Sequence, residues 1–111
     1  MYQINFDHPV HVHFIGIGGI SMSGLAEILI DAGFPVSGSD ARKSPLTQHL
    51  AARGARISYP QMASNITDSI DLVVYTAAIA SDNPEFVDAT EKKIPHMKRA
   101  SLLAQIMKKK K

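Results

Sequence analysis

Residues 10–29 read VHVHFIGIGGISMSGLAEIL, and this stretch decides the fold. Val10, Val12 and Phe14 alternate with His11 and His13, the period-2 pattern of a strand, before Ile15 leads into glycine. Gly16, Gly18, Gly19 and Gly24 follow, and a helix starts within that loop. Leu25, Ile28 and Leu29 give the helix an apolar stripe at i, i+3, i+4 spacing. Gly33 caps it and Pro35 prevents continuation. Glycines let a main chain turn tightly and approach a ligand without Cβ interference. The helix start adds unpaired N–H groups and a positive dipole end, which favour a phosphate or diphosphate. Ser23 and Gly24 are small enough to let the helix lie close to the sheet. The alternative is a glycine turn that only packs helix on strand.

Outward from this core the alternation continues. Val36–Gly38 reads as a second strand ending at Ser39-Asp40. Ser44-Pro45 is an N-cap followed by a first-turn proline, Leu46 and Leu50 share a helix face, and Gly54 ends that helix. Arg56–Tyr59 reads as a third strand, and residues 60–69 as polar and irregular with one helical turn. Leu72-Val73-Val74-Tyr75 is a continuous apolar run, as expected of a central parallel strand covered on both faces. Asp82-Asn83-Pro84-Glu85 starts a helix with a capping side chain, a first-turn proline and an acid near the positive helix end. That helix ends near Lys92-Lys93; Ile94–Met97 is a fifth strand, and Leu103, Ile106 and Met107 line a final amphipathic helix. The predicted fold is α/β: an open parallel sheet of about five strands with helices on both faces. Such sheets bind ligands outside the carboxyl ends of the strands, where the strand order reverses.

The chain has 111 residues, which fits one compact domain with a real core. Hydrophobic residues make up 45% and charged residues 20%, which argues against disorder. With no cysteine there is no disulfide framework and no zinc ribbon. The 12 basic and 10 acidic residues give a net charge of +2, but residues 108–111 are all lysine. Without that tail the remainder is slightly acidic, so no basic face for nucleic acid is expected. The tail reads as a solvated helix end. Apolar stretches are broken well short of the roughly 20 residues a membrane span needs. Asp7 and the lack of a basic leader argue against a signal peptide, so a cytoplasmic location is expected.

The glycine pattern G-x-G-G-x-x-x-x-G departs from the dinucleotide fingerprint G-x-G-x-x-G, because Ser21 stands at the third glycine position. Asp40, at the end of strand two, lies where dinucleotide folds set an acid against a ribose hydroxyl. Its alternative is a turn or capping aspartate. His8, His11 and His13 have metal-like spacing, but no carboxylate or cysteine cluster accompanies them, so partly buried or edge histidines are expected and no metal site. His49 and His96 show no visible partner. Without G-x-S-x-G, Ser21 and Ser23 do not form a nucleophile elbow, and no catalytic residue is assigned. Met22, Met62, Met97 and Met107 read as core filling.

Gly16–Glu27, GIGGISMSGLAE, resembles the first domain of the Mur ligases. Ser37-Gly38-Ser39-Asp40, Tyr75-Thr76-Ala77-Ala78-Ile79, Asp82-Asn83-Pro84-Glu85 and Arg99-Ala100-Ser101-Leu102-Leu103 follow in the family's order. Gly18 favours the alanine-adding branch over the branch that recycles murein tripeptide. The resemblance implies a Rossmann-like domain, residues 1–107, that holds the UDP part of UDP-N-acetylmuramate. It implies that the loop from Ile17 through Gly18, Gly19 and Ile20 to Ser21 faces the diphosphate through backbone N–H groups. It places Ser39 and Asp40 near the uridine, and the Thr76-Ala77-Ala78 turn near the diphosphate or sugar. Arg99 would add a cation near the substrate anion; its alternative is an exposed surface arginine. The family often has Gly-His after strand three, with the histidine approaching the base. Here the sequence is Pro60-Gln61-Met62-Ala63, and Gln61 has donor and acceptor groups to replace the imidazole. In the family a P-loop and a third domain follow, with ATP and magnesium used to make an acyl phosphate that L-alanine attacks. No G-x-x-x-x-G-K-[ST] occurs in these 111 residues. A substrate-binding fragment with no cofactor of its own and no chemistry alone is therefore expected. A small NAD(P)-binding regulatory module is the alternative, and a non-binding interaction domain a third.

Overall fold

A computed structural model describes residues 2–79 and 81–109. The elements are β1 (Val12–Ile15), α1 (Ile20–Asp31), β2 (Val36–Ser39), α2 (Pro45–Ala52) and β3 (Arg56–Ser58). A 3₁₀ turn (Ala63–Asn65), β4 (Leu72–Tyr75), α3 (Pro84–Glu91), β5 (His96–Lys98) and α4 (Arg99–Lys109) complete the chain. The five strands form one parallel sheet in the order β3-β2-β1-β4-β5. The Rossmann-like α/β fold expected from the sequence is present.

Local chemistry explains the boundaries. Gly33 and Gly54 take φ of +92° and +108°, which lets the chain leave α1 and α2 without Cβ strain. Ser44 and Thr47 form a reciprocal capping box at α2, with Pro45 in the first turn. β5 begins later than expected: Lys93 has φ +60° and the Ile94 N–H donates to the Ala89 carbonyl, so the helix exit consumes what the apolar pattern assigned to the strand. β1 starts at Val12, because the His11 N–H donates to the Asp71 side chain instead of a neighbouring strand.

Alternation along the strands divides the core. Val12, Phe14, Val36, Val74 and Met97 pack against Leu25, Leu29, Leu50, Leu102 and Ile106, so α1, α2 and α4 cover one face. Ile15 and Val73 meet Ile66, Ile70 and Ala89, so the 60–70 segment and α3 cover the other. In α4 the buried pair is Leu102 and Ile106, while Leu103 and Met107 are exposed. The helix begins at Arg99, and its buried stripe is centred on Leu102 and Ile106 instead of on Leu103, Ile106 and Met107. Met22 and Met97 fill the core, but Met62 and Met107 do not. Gly24 is exposed with open space around it, so the close helix–sheet approach lies at Ser23 and not at Gly24. α4 runs on through Lys108 and Lys109; Lys110 and Lys111 lie outside the described residues.

The connections β1–α1–β2–α2–β3 step one way across the sheet, and the chain then returns to add β4 on the other side of β1. The order reverses between β1 and β4, and their carboxyl ends open a crevice there.

Candidate functional site

That crevice has a volume of about 270 Å³ and is lined by Ile15, Gly16, Gln61, Thr76, Ala78, Ile79 and Asn83. Gly16 turns the chain out of β1 at φ +82°. Gly19 is the N-cap of α1 in an extended conformation, and no side chain caps the helix. The first-turn N–H groups at Ile20 and Ser21 therefore face outward with the positive end of the helix dipole.

The loop is more self-contained than the sequence implied. The Ile17 N–H donates to the Ser39 carbonyl at 3.0 Å, and the Gly19 N–H to the Gly16 carbonyl at 3.2 Å. The Gly18 N–H donates to Asp40 Oδ2 at 2.8 Å. Three of the five N–H groups expected to face a diphosphate are thus spent within the protein, and those of Ile20 and Ser21 remain. Ile17 is fully buried, its side chain packed over Gly38. Ser39 is also fully buried, and its hydroxyl donates to Glu85 Oε1 at 2.7 Å. Its side chain is withdrawn from the rim because β2 alternation turns Ser37 and Ser39 into the layer beneath α3.

Asp40 keeps its place at the rim, half-buried, with Oδ1 also accepting from the Ala41 N–H. Gln61, Thr76 and Ala78 line the crevice, whereas Ala77 does not; both alanines are exposed in the turn closed by Ile79 N–H to Thr76 O. Arg99 does not line that crevice. It lines an apolar groove of about 290 Å³ with Ile20, Ser21, Gly24, Leu25, Ile28 and Leu103. Ile20 and Ser21, in the first turn of α1, join that groove to the glycine loop.

Two residues that matter here were read from the sequence only as parts of a helix start. Asn83 caps α3, accepting from the Glu85 and Phe86 N–H groups, and its side-chain NH₂ also donates to Gln61 Oε1 at 2.6 Å. Glu85 is fully buried and accepts four hydrogen bonds, from His13, Ser39, the Met62 N–H and Asn65. Burial alone would raise its pKa; hydrogen bonds from His13, Asn65 and Ser39 outweigh this and hold it below the ordinary carboxylate value. The segment carrying Gln61 is thereby pinned to the start of α3.

The histidines have partners the sequence did not reveal. Ser37 Oγ lies 2.7 Å from His11 Nε2 and 2.8 Å from His13 Nδ1, and His13 continues to Glu85. Hydroxyl, imidazole and carboxylate are aligned beside a pocket of about 180 Å³ that Arg56, Ser58 and Asn65 also line, with the serine oxygen held between both rings. Desolvation lowers the His11 pKa, as do His13 and Arg56, against the raising effects of Ser69 and Asp71. His49 pairs with Glu27, and His96 packs on Tyr75 and Phe86. Among the described residues, no group of three or more His, Cys, Asp or Glu side chains is arranged to hold a metal.

A family model described as Mur ligase family, catalytic domain, matches residues 11–111. The chain is 62% identical over 107 residues to the UDP-N-acetylmuramate–L-alanine ligase of Lachnospira eligens, covering 96% of this chain and 23% of that protein. It is 57% identical over 102 residues to the same-named ligase of Clostridium botulinum strain Langeland, covering 92% of this chain and 22% of that protein. The crystal structure of the UDP-N-acetylmuramate-alanine ligase of Thermotoga maritima superposes with a TM-score of 0.86 at 37% identity, covering 91% of this chain and 23% of that one. The chain spans less than a quarter of the length of these relatives. With a family model matching nearly its whole length and the fold shared, the chain belongs to the Mur ligase family.

Proposed function

We propose that residues 1–107 form the domain that binds the UDP moiety of UDP-N-acetylmuramate in a ligase joining L-alanine to that substrate during peptidoglycan precursor synthesis. Residues 108–111 are a lysine tail outside that role. The observation that carries this reading is the uncapped α1 N-terminus together with a crevice at the point of strand reversal that holds the Gln61, Thr76 and Asn83 side chains. The 62% identity to a protein named for that reaction selects the branch of the family.

In this reading the diphosphate lies against the Ile20 and Ser21 N–H groups, with Gly18 and Gly19 keeping the main chain low enough for it to approach. Asp40 accepts from the ribose, Gln61 meets the base, and the Thr76-Ala77-Ala78 turn borders the sugar side. Arg99 supplies a cation across the loop, and Ile17 and Ser39 support these groups from beneath. ATP and magnesium serve parts of the ligase other than this chain, and no G-x-x-x-x-G-K-[ST] occurs within it. The chain holds one substrate and performs no chemistry by itself. No described helix is long and apolar enough to cross a membrane, and a cytoplasmic location belongs to the same reading.

Titration of the chain with UDP-N-acetylmuramate, UDP and NADH, followed by amide chemical shifts, tests it. Uridine ligands are expected to bind at high micromolar to millimolar Kd, about −4 to −6 kcal/mol. They should move the signals of Ile20, Ser21 and Gln61. Tighter binding of NADH than of either uridine ligand would overturn the assignment in favour of a dinucleotide module.

A further inference from the structure

The amide of Asn83 has only one acceptable orientation. Its oxygen accepts from two backbone N–H groups, Glu85 at 2.9 Å and Phe86 at 3.2 Å, and an NH₂ in that position would face two donors. The other arm is therefore the NH₂, and it stands 2.6 Å from Gln61. Gln61 must answer with its carbonyl oxygen. An ambiguity that ordinarily attends amide side chains is removed here by two main-chain hydrogens.

One consequence is that the Gln61 NH₂ points the other way. Gln61 Nε2 is the atom nearest to where a Cβ on Gly16 would stand, at 3.9 Å, and it makes no hydrogen bond among the described residues. The main chain beside it cannot swing, because Glu85 Oε2 accepts from the Met62 N–H at 3.1 Å and from Asn65 at 2.7 Å. The crevice thus receives a fixed pair of donors from an uncharged side chain.

We propose that Asn83 is a specificity-determining residue: by locking the Gln61 amide with its NH₂ toward the crevice, it makes the site accept a pyrimidine carbonyl and refuse an exocyclic amine. Uracil and cytosine differ in that respect at one ring position, carbonyl against amine. The proposal rests on the proposed function, in which Gln61 meets the base. Asn83 acts through Gln61 and is a positioning residue.

The test is the ratio of UDP to CDP affinity in the 111-residue chain, with the Gln61 side-chain amide signal as local reporter. Wild type is expected to prefer UDP by about fivefold or more, the worth of one hydrogen bond made and one unpaired donor avoided. Asn83→Asp keeps the α3 cap, since aspartate caps as well as asparagine. It removes the donor that fixes Gln61, so the amide turns its carbonyl to the crevice and the preference falls about fivefold, to parity or beyond. Gln61→Glu keeps the contact to Asn83 and replaces the crevice-facing NH₂ by oxygen, and the same loss is expected. UDP and CDP carry equal charge, so the new carboxylate cancels from the ratio. If UDP moves the Gln61 signal but the ratio is unchanged in both variants, or wild type shows no preference, the lock is refuted and the base-binding reading stands. If UDP leaves Gln61 unmoved, both fall.

Discussion

His13 Nε2 stands 2.7 Å from Glu85 Oε1, joining the central strand to the start of α3 across 72 positions of sequence, with both side chains shielded from water. Around this pair Ser37, Ser39, Asn65 and the Met62 N–H complete a polar layer between the sheet and the segment that carries Gln61. Removing one member of a buried, hydrogen-bonded pair leaves the rest unpaired. Glu85→Ala is expected to cost about 3–5 kcal/mol, a large part of the roughly 5–15 kcal/mol that holds a domain of this kind together. Glu85→Gln keeps the shape and one acceptor, and its cost is about 1–3 kcal/mol. Urea unfolding followed by circular dichroism measures both, and a loss below about 1 kcal/mol for Glu85→Ala, the worth of a single ordinary hydrogen bond, would show the layer to be dispensable.

Two groups in this layer make stability depend on pH in the same direction. His11 has a pKa below 6.5 in the folded protein, so the unfolded chain binds more protons and stability falls as pH drops below 6.5. The carboxyl of Glu85 lies below 4.5, so a second loss begins near that pH and continues as pH falls through the folded value. The groups around His11 are His13, Asp71 and Arg56, with the Ser69 carbonyl at 3.2 Å. Unfolding midpoints between pH 7 and pH 3 should fall in these two stages. His11→Gln is expected to flatten the first stage and leave the second, and an unchanged slope between pH 7 and pH 5 would remove His11 as its source.

The glycine loop, the α2 and α3 caps and the parallel sheet were legible because each is written in adjacent residues. Gly16 through Leu29 needs no distant partner to declare strand, turn and helix. Glu85 was legible only as a helix-start acid, because the residues that make it a buried acceptor come from β1, β2 and the 60–65 segment. A signal was present all the same. Period-2 alternation puts His13 on one face of β1, and Ser37 and Ser39 on the matching face of β2. A sheet covered on both sides cannot leave such a row without an acceptor. The spent N–H groups of Ile17, Gly18 and Gly19 were beyond reach for the same reason: the acceptors for the first two, Ser39 and Asp40, are brought in by pairing of β1 with β2, and the turn that closes Gly19 onto Gly16 follows from that docking.

Gly38 and Gly24 should respond oppositely to alanine. A Cβ on Gly38 would stand 2.6–2.9 Å from Ile17 Cδ1, Cβ and Cγ2, close to the main chain of the glycine loop. Gly38→Ala is therefore expected to cost about 1–3 kcal/mol by overpacking, and to shift the amide signals of residues 16–20. Gly24 has nothing within 4 Å and lies inside α1, so Gly24→Ala is expected to add about 0.5–1 kcal/mol through helix propensity. Thermal unfolding of the two variants separates them; equal effects would mean that glycine content alone, and not the Ile17–Gly38 contact, governs this region.

Asp40 sits where attraction and repulsion compete. Its oxygens already accept from the Gly18 and Ala41 N–H groups at 2.8 and 2.7 Å, and a carboxylate retains further lone pairs for ribose hydroxyls. Its charge also lies beside the helix start where a diphosphate would settle, and like charges at that range oppose each other. Inorganic diphosphate feels only the repulsion, while UDP feels both. Asp40→Ala is therefore expected to weaken UDP about tenfold, the worth of a charge-assisted hydrogen bond, and to leave inorganic diphosphate bound as well or better. If both ligands weaken alike, Asp40 acts through the Gly18 N–H, as a turn residue that shapes the loop. Asp40→Asn then separates these roles further, because it keeps an acceptor for Gly18 and removes the charge: loop shape is preserved, diphosphate binding rises, and UDP falls less than in Asp40→Ala.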